Sequence, residues 1–491
     1  MRELKNRWIP GNKNQWIFSS FDNHSLAGLG DKVDTNQVFI PAKDDHTNLG
    51  IHKFNNQLYS SNDVGVCRLK GVDGKNLLSY DGKEVVLKIE PRFSVSVVKM
   101  LDMIKEDEEF ERYLAPQTVR ISSTEKDVED LQNNEVFNFF DKESPIFIKD
   151  NISRDSSIIT ATVFISMLKD LCRKPLMGKM VNTEENLTGK VKGKIVFHQN
   201  IRKNLVRGRN DRLYCRYLRY SEDIIENQIL KAALHKASLY INSYFGKVDS
   251  KKNTYKEMVV YCQKALEKVS SIGISQRDLS SLKVTGCYAY YKPVLAVAKM
   301  VLNEISLESN GQSKTTSYVV PYAVAMNKLF EMYVRAYLKH IGIKPYDDDT
   351  DGIHIEKYDY KSKVLKNKGT GKASYINGPI KPDILLYDSL SDKKVVFDVK
   401  YKDIDNSGGA RDDRLQLLAY TLMYNCDNVG IIAPGDTGIM YYEKNEIDSF
   451  ESKSRFYHQI KMAITDDWDE KFNFIDGSEV LALDYISNIF L

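Results

Sequence analysis

An aspartate follows a proline at Pro382-Asp383, and after fourteen intervening residues comes Asp398, separated from Lys400 by a single valine. Both acids lie in short apolar runs, PDILLY (Pro382 to Tyr387) and VVFDVKY (Val395 to Tyr401). The turn-forming stretch Asp388 to Lys394 between them predicts an antiparallel hairpin. Side chains at i and i+2 share one face of a strand. Asp398 and Lys400 therefore stand side by side, while Phe397, Val399 and Tyr401 point the other way. An acid and an amine among Val and Phe are costly to bury unless they have partners. A divalent cation held by the Asp383 and Asp398 carboxylates is one such partner, and an oxygen-only pair suits Mg²⁺. A cation there would polarise a phosphate and lower the pKa of a bound water, and a neighbouring ammonium would stabilise the charge that develops. Those are the parts of a phosphodiester hydrolase. Taken alone, the trio is more simply read as an exposed salt bridge on an edge strand.

Two helices flank the hairpin. Upstream, MNKLFEMYVRAYL places Met326, Phe330, Tyr333, Val334 and Tyr337 on one face, with Glu331 at its border. Glu331 can reach into a site there, or it can pair with a lysine at the edge of the core. Downstream, DDRLQLLAYTLMYN places Gln416 and Tyr420 at i and i+4, on one helical face. That pair can hydrogen-bond a nucleic-acid strand or brace a metal site. An ordinary amphipathic helix with one buried tyrosine fits it equally. The apolar run VGIIAP (Val429 to Pro434) then completes an order of helix, strand, strand, helix, strand.

These elements belong to a chain of 491 residues, 42% hydrophobic and 28% charged, which is too long for a single core. The expected class is multidomain α/β. Turn signals such as Asp73-Gly74 and Asp81-Gly82 predict a β-rich N-terminal domain over residues 1–99. Residues 100–310 read as a mainly helical middle region, with helices expected over 222–245 and 254–271. The loop Ser306 to Ser317 marks the boundary of a C-terminal α/β domain, 311–491. The acidic segment Glu125 to Asp141 reads as a solvated face or connector. No run approaches the ~18 apolar residues of a membrane span, since Ile158 to Leu168 is broken by Thr160, Thr162 and Ser166. The N-terminal residues lack the apolar core of a signal peptide. The six cysteines form no C-x-x-C pair, which argues against a zinc site, an iron–sulfur cluster or a disulfide framework. A cytoplasmic protein is the expectation.

Lys and Arg number 70 against 67 acids, which excludes a globally basic coat but not a local patch. Residues 188–219 hold ten Lys/Arg and one acid, Asp211, with Phe197, Tyr214 and Tyr217 interleaved. Lys190, Lys192, Lys194, Arg202, Arg207 and Arg209 are the candidates for contact with nucleic acid. A solvated surface, or a surface for a protein partner, accounts for the block equally.

Glu331 on a helix, Pro382-Asp383, Asp398-x-Lys400 and Gln416-x-x-x-Tyr420, in that order, resemble the PD-(D/E)XK nuclease superfamily, in its branch with a RecB-like QxxxY motif. The wider chain resembles the McrC-like nuclease subunits of McrBC-type restriction systems, which are modification-dependent and directed at 5-methylcytosine. LKIEPRF (Leu87 to Phe93), GKVKGKI…NIRKNL, YSEDIIENQILKAAL (Tyr220 to Leu234), NKLFEMYV and KPDILLY…VVFDVKYK…LQLLAY carry that likeness, over roughly residues 60–435. The resemblance implies a C-terminal restriction-endonuclease-like domain that cuts DNA in antiviral defence. Asp383 and Asp398 would be metal ligands for Mg²⁺, Glu331 the assisting acid, Lys400 the catalytic lysine, and Gln416 and Tyr420 an accessory pair. It also implies an AAA+ GTPase partner of the McrB type. The chain has no G-x-x-x-x-G-K-[ST] phosphate loop, so a motor would have to come from another chain. The insertion at 347–378 departs from the family pattern. A stand-alone or repair-type RecB-like nuclease and a non-cleaving DNA-binding or motor-activating subunit remain the rival expectations.

Overall fold

The computed structural model describes residues 4–42, 45–93, 97–104, 119–121, 135–140, 146–148, 152–245, 254–308 (apart from 281, 283 and 285), 317–340, 382–388, 393–404, 411–435, 440–447, 455–462, 471–474 and 479–481. The insertion at 347–378 lies outside the described residues.

Apolar alternation in the first ninety residues produces strands, as expected. Gln15–Phe21, Asp63–Arg68 and Glu84–Glu90 are buried almost throughout. They join a seven-stranded mixed sheet whose order is Arg7–Pro10, Gln15–Phe21, Glu84–Glu90, Asp63–Arg68, Tyr322–Ala325, Phe137–Phe139 and Val119–Ile121. Three of these strands come from beyond residue 99. Phe137–Phe139 falls in the segment expected to be solvated, yet all three of its residues are buried. Its strand neighbour on the other side, Tyr322–Ala325, comes from the C-terminal third of the chain and pairs antiparallel with Asp63–Arg68.

That last pairing depends on Gly65. A Cβ on Gly65 would lie 2.1 Å from the Tyr322 carbonyl oxygen, a separation no side chain tolerates. Directly after the strand, Met326–His340 continues as the amphipathic helix read from the sequence. Phe330, Tyr333, Val334 and Tyr337 on its apolar face are buried. The helix carrying Glu331 thus grows straight out of the N-terminal sheet.

The middle region packs the helices Ile152–Cys172, Ile225–Phe245, Thr254–Ala265 and Tyr291–Glu308 together. No described helix is long and apolar enough to cross a membrane. Thr160 and Thr162 are buried inside the first helix, and the Thr160 hydroxyl donates to the Ser156 carbonyl one turn back.

The basic block folds as a separate lobe. Strands Lys179–Thr188, Arg212–Ser221 and Lys194–Ile195 form a three-stranded antiparallel sheet with the short helix Phe197–Lys203. Leu187, Cys215 and Tyr217 make its own small core, apart from the main one. At its base, the Met177 N–H donates to the Tyr291 hydroxyl at 2.7 Å, and the Asn227 amide donates to the Met177 carbonyl at 2.9 Å.

The predicted hairpin forms. Ile384–Asp388 pairs antiparallel with Lys393–Val399. The latter then pairs in parallel with Asn428–Pro434, which pairs in parallel with Arg455–Met462. Met440–Ile447, Lys471–Phe474 and Glu479–Leu481 complete a second seven-stranded sheet. Helix Arg411–Tyr424 crosses between the two parallel strands and packs on both. Parallel strands covered on both sides are apolar nearly throughout, and Val395 to Val399 are all buried.

Candidate functional site

Asp398 sits near the end of that buried strand and is 1% exposed. Burial of an acid at this depth requires compensation, and the Lys400 Nζ supplies it, 2.6 Å from Asp398 Oδ2. The strand alternation read from the sequence is therefore realised as an ion pair. Lys400 keeps a quarter of its side chain open to solvent. Its backbone N–H donates to the Ile432 carbonyl, so the lysine remains tied to the sheet at its last rung.

Asp383 precedes the partner strand. Its Oδ2 accepts a hydrogen bond from the Val399 N–H at 2.7 Å, which turns the carboxylate toward Asp398. Its main-chain carbonyl accepts from Arg335 Nη1 at 3.1 Å. Arg335 lies four residues beyond Glu331 on the same helical face, so one arginine ties the helix to the hairpin. Arg335 stands outside the site residues named from the sequence. Its signal was the i+4 spacing from Glu331.

The electrostatics link the three acids. Burial, then the charges of Glu331 and Asp398, push the Asp383 carboxyl up to about 8. Burial also raises Glu331, with Asp398 adding to the rise while Arg335, Lys328 and Lys400 oppose it. For Lys400, burial works to lower the pKa, but Asp398, Asp383 and Asp413 outweigh it and the net shift is upward. Glu331, Asp383, Asp398 and Lys400 thus interact as one cluster, with more acid than base. Among the described residues, no three His, Cys, Asp or Glu side chains are arranged as a ready ligand cage. The donors that converge are the paired carboxylates of Asp383 and Asp398, with the lysine ammonium against them.

Gln416 and Tyr420 are one turn apart, as expected, and the Gln416 side-chain amide donates to the Tyr420 hydroxyl at 2.9 Å. Tyr420 is buried, and its pKa is raised by burial and by the charges of Asp398 and Asp383, which places its hydroxyl within the field of the cluster. The same helix is held to the end of the Asp398 strand by an ion pair between Lys402 and Asp413.

The basic block is remote in construction from this cluster. Lys190, Lys192, Lys194, Arg202, Arg207 and Arg209 are all exposed on the lobe. The interleaved aromatics divide differently from the sequence expectation. Tyr217 is a core residue of the lobe, with its hydroxyl donating to Glu185 and Lys192 above its ring. Tyr214 is half-buried beneath Lys203. Phe197 alone of the three is open, at 69%. Ile201, Leu205 and Val206, on the same helix and the turn that follows it, are also exposed.

The six cysteines are all free and lie on separate elements.

A mixed α/β chain, with an acid–lysine cluster at the junction of a helix and a parallel sheet, is the class that fold and site define. Residues 139–434 match the family model described as McrBC 5-methylcytosine restriction system component. The chain belongs to that family. Among curated proteins no match is found. Of solved structures, the chain is similar to one from Thermococcus gammatolerans, a refined half-complex from a tetradecameric assembly of McrB AAA+ hexamers with bound McrC. That similarity is at 14% identity, covering 91% of this chain and 94% of the other, with a TM-score of 0.35. It is also similar to the cryo-EM structure of the Thermococcus gammatolerans McrBC complex, at 15% identity, covering 70% and 88%, with a TM-score of 0.26.

Proposed function

We propose that this chain is the DNA endonuclease subunit of a modification-dependent restriction system, hydrolysing phosphodiesters with Mg²⁺ and working with an AAA+ GTPase motor of the McrB type. The observation that carries the reading is the convergence of Asp383, Asp398, Lys400 and Glu331 in one coupled cluster. Their order along helix, strand, strand and helix is that of the PD-(D/E)XK nucleases.

The donor set fits Mg²⁺. It is all oxygen, it brings two adjacent carboxylates, and its excess negative charge is the kind a hard cation relieves. Asp383 and Asp398 would hold the ion, with Glu331 assisting from the helix. Once bound, the ion supplies a Lewis acid and a more acidic water. The chain's own groups do the rest. Lys400, with its pKa raised, stays protonated at neutral pH. It therefore serves as a fixed positive charge for the developing phosphorane oxygens and for orienting the water, not as a base. Arg335 holds Asp383 against the helix. The Gln416–Tyr420 hydrogen bond braces the helix behind the cluster.

The lobe supports the partner half of the reading. Phe197, Ile201, Leu205, Val206, Met180 and Leu218 are all exposed on this small lobe, which also carries the cations. Clustered exposed apolar side chains mark a protein contact more than a phosphate contact.

The test is cleavage of methylated and unmethylated DNA by this chain together with the motor subunit encoded beside it. Cutting of methylated DNA that EDTA stops, and that Asp398→Ala and Lys400→Ala abolish, is the expected result. Cutting that survives either substitution overturns the assigned site.

A further inference from the structure

Arg92 closes the N-terminal sheet's last long strand, in the segment Leu87 to Phe93, and it reaches across the chain. Its Nη2 donates to the carbonyl of Tyr401 at 2.8 Å, over a sequence separation of 309 residues. Tyr401 is the residue after Lys400. The Lys400 N–H is fixed to Ile432, and the next carbonyl is fixed by Arg92, so the lysine's backbone is pinned on both sides.

The arginine is itself held. Its backbone N–H donates to Asp22 Oδ1, and its Nε lies 3.7 Å from Asp22 Oδ2. Asp22 is 0% exposed and Arg92 14%. A buried pair of this kind gains little net stability, and its documented use is to fix one arrangement. Aromatic rings complete the junction. Tyr401 packs edge-on against Phe93 with centroids 5.3 Å apart, and against Phe330 at 5.9 Å. Phe330 is the neighbour of Glu331. One cluster therefore touches the residue beside the catalytic lysine and the residue beside the assisting acid.

We infer that Arg92, held by Asp22, is a positioning residue for the nuclease, fixing Lys400 against Asp398 from the N-terminal sheet. The inference rests on the nuclease reading and extends it. Arg92 touches no reacting atom. It acts through the Tyr401 carbonyl, so its loss should lower turnover and leave DNA affinity alone. A displacement of about 1 Å at a catalytic group costs up to about 100-fold.

Arg92→Ala would strand the Asp22 charge and is expected to destabilise the chain. Arg92→Lys is the informative variant. It keeps a cation beside Asp22 and lacks the second arm that reaches Tyr401. The holoenzyme, meaning this chain with its motor subunit, would be assayed with wild-type, Arg92→Lys and Lys400→Ala chains, at a temperature where each is folded by circular dichroism. Expected for Arg92→Lys is a kcat lowered about 10- to 100-fold, with KM for DNA, DNA binding in Ca²⁺ and stimulation of the motor's GTPase all unchanged. A wild-type kcat in Arg92→Lys overturns the inference, as does a loss confined to KM or to GTPase stimulation. If wild type fails to cut, or Lys400→Ala still cuts, the nuclease reading fails instead.

Discussion

Asp383→Asn should make the metal-free protein more stable while destroying its activity. Asp383 carries a pKa pushed up to about 8 by burial and by the Glu331 and Asp398 charges. Its unfolded value is near 3.8. Between those limits the folded chain keeps a proton that the unfolded chain releases. The folded state thus binds more protons, and its stability falls as pH rises through that window, by about 1.4 kcal/mol per unit. Near neutral pH, about three units above the unfolded value, the accumulated loss is on the order of 4 kcal/mol at this site, less whatever solvent entry at its partly open face relieves. Asparagine keeps an oxygen acceptor for the Val399 N–H and offers an N–H to Asp398 in place of the proton. It has nothing to titrate. Thermal unfolding in EDTA should show the variant gaining over wild type as pH rises from about 5 to about 8. Mg²⁺ should stabilise wild type more at the higher pH and leave the variant nearly unmoved. A variant less stable than wild type in EDTA near pH 8 would refute the picture of a carboxylate cluster in mutual repulsion.

Two further outcomes follow from the packing. Gly65→Ala should cost about 3 kcal/mol or more, because its Cβ would meet the Tyr322 carbonyl at 2.1 Å. Denaturant unfolding measures it, and wild-type stability would mean that the strand before the Glu331 helix does not pair there. Leu205→Asp with Val206→Asp, at positions 53% and 77% exposed, should leave the melting temperature within the small range usual for surface changes, about 0.5 kcal/mol. It should weaken association with the motor about 10-fold or more, read by analytical ultracentrifugation. Undiminished association would remove the lobe from the docking surface.

What the sequence made legible was local. The hairpin at Asp383 and Asp398 was readable because an apolar run, a turn and a second apolar run are consecutive, and strand alternation then places Asp398 beside Lys400. The Glu331 and Gln416 helices were readable from 3.6-residue periodicity. What escaped was non-local. Nothing in YAVA (Tyr322 to Ala325) says that its partners lie at residues 63–68 and 137–139. The strand Phe137–Phe139 was hidden by acidic neighbours, which mask a three-residue buried stretch in any window average. Tyr217 looked like a stacking platform because composition does not say which side of a strand faces a core of three residues. Arg92 and Tyr401 carry no mutual signal across 309 positions.

These non-local pairings bear on what the cluster requires. Glu331 is delivered by a helix rooted in the first sheet, and Asp398 and Lys400 by a strand of the second. Two bodies that supply opposite sides of one site must be held in register to well under an ångström for the chemistry to work. The contacts available for that task are specific. They are the Arg335 bond to the Asp383 carbonyl, the Arg92 bond to the Tyr401 carbonyl, and the Phe93–Tyr401–Phe330 packing between them. Both arginines act through main-chain carbonyls, while Asp383 and Asp398 are held by the Val399 N–H and by Lys400. On the proposed nuclease reading, the first sheet would thereby belong to the cutting machinery, its Arg92 setting the backbone beside Lys400.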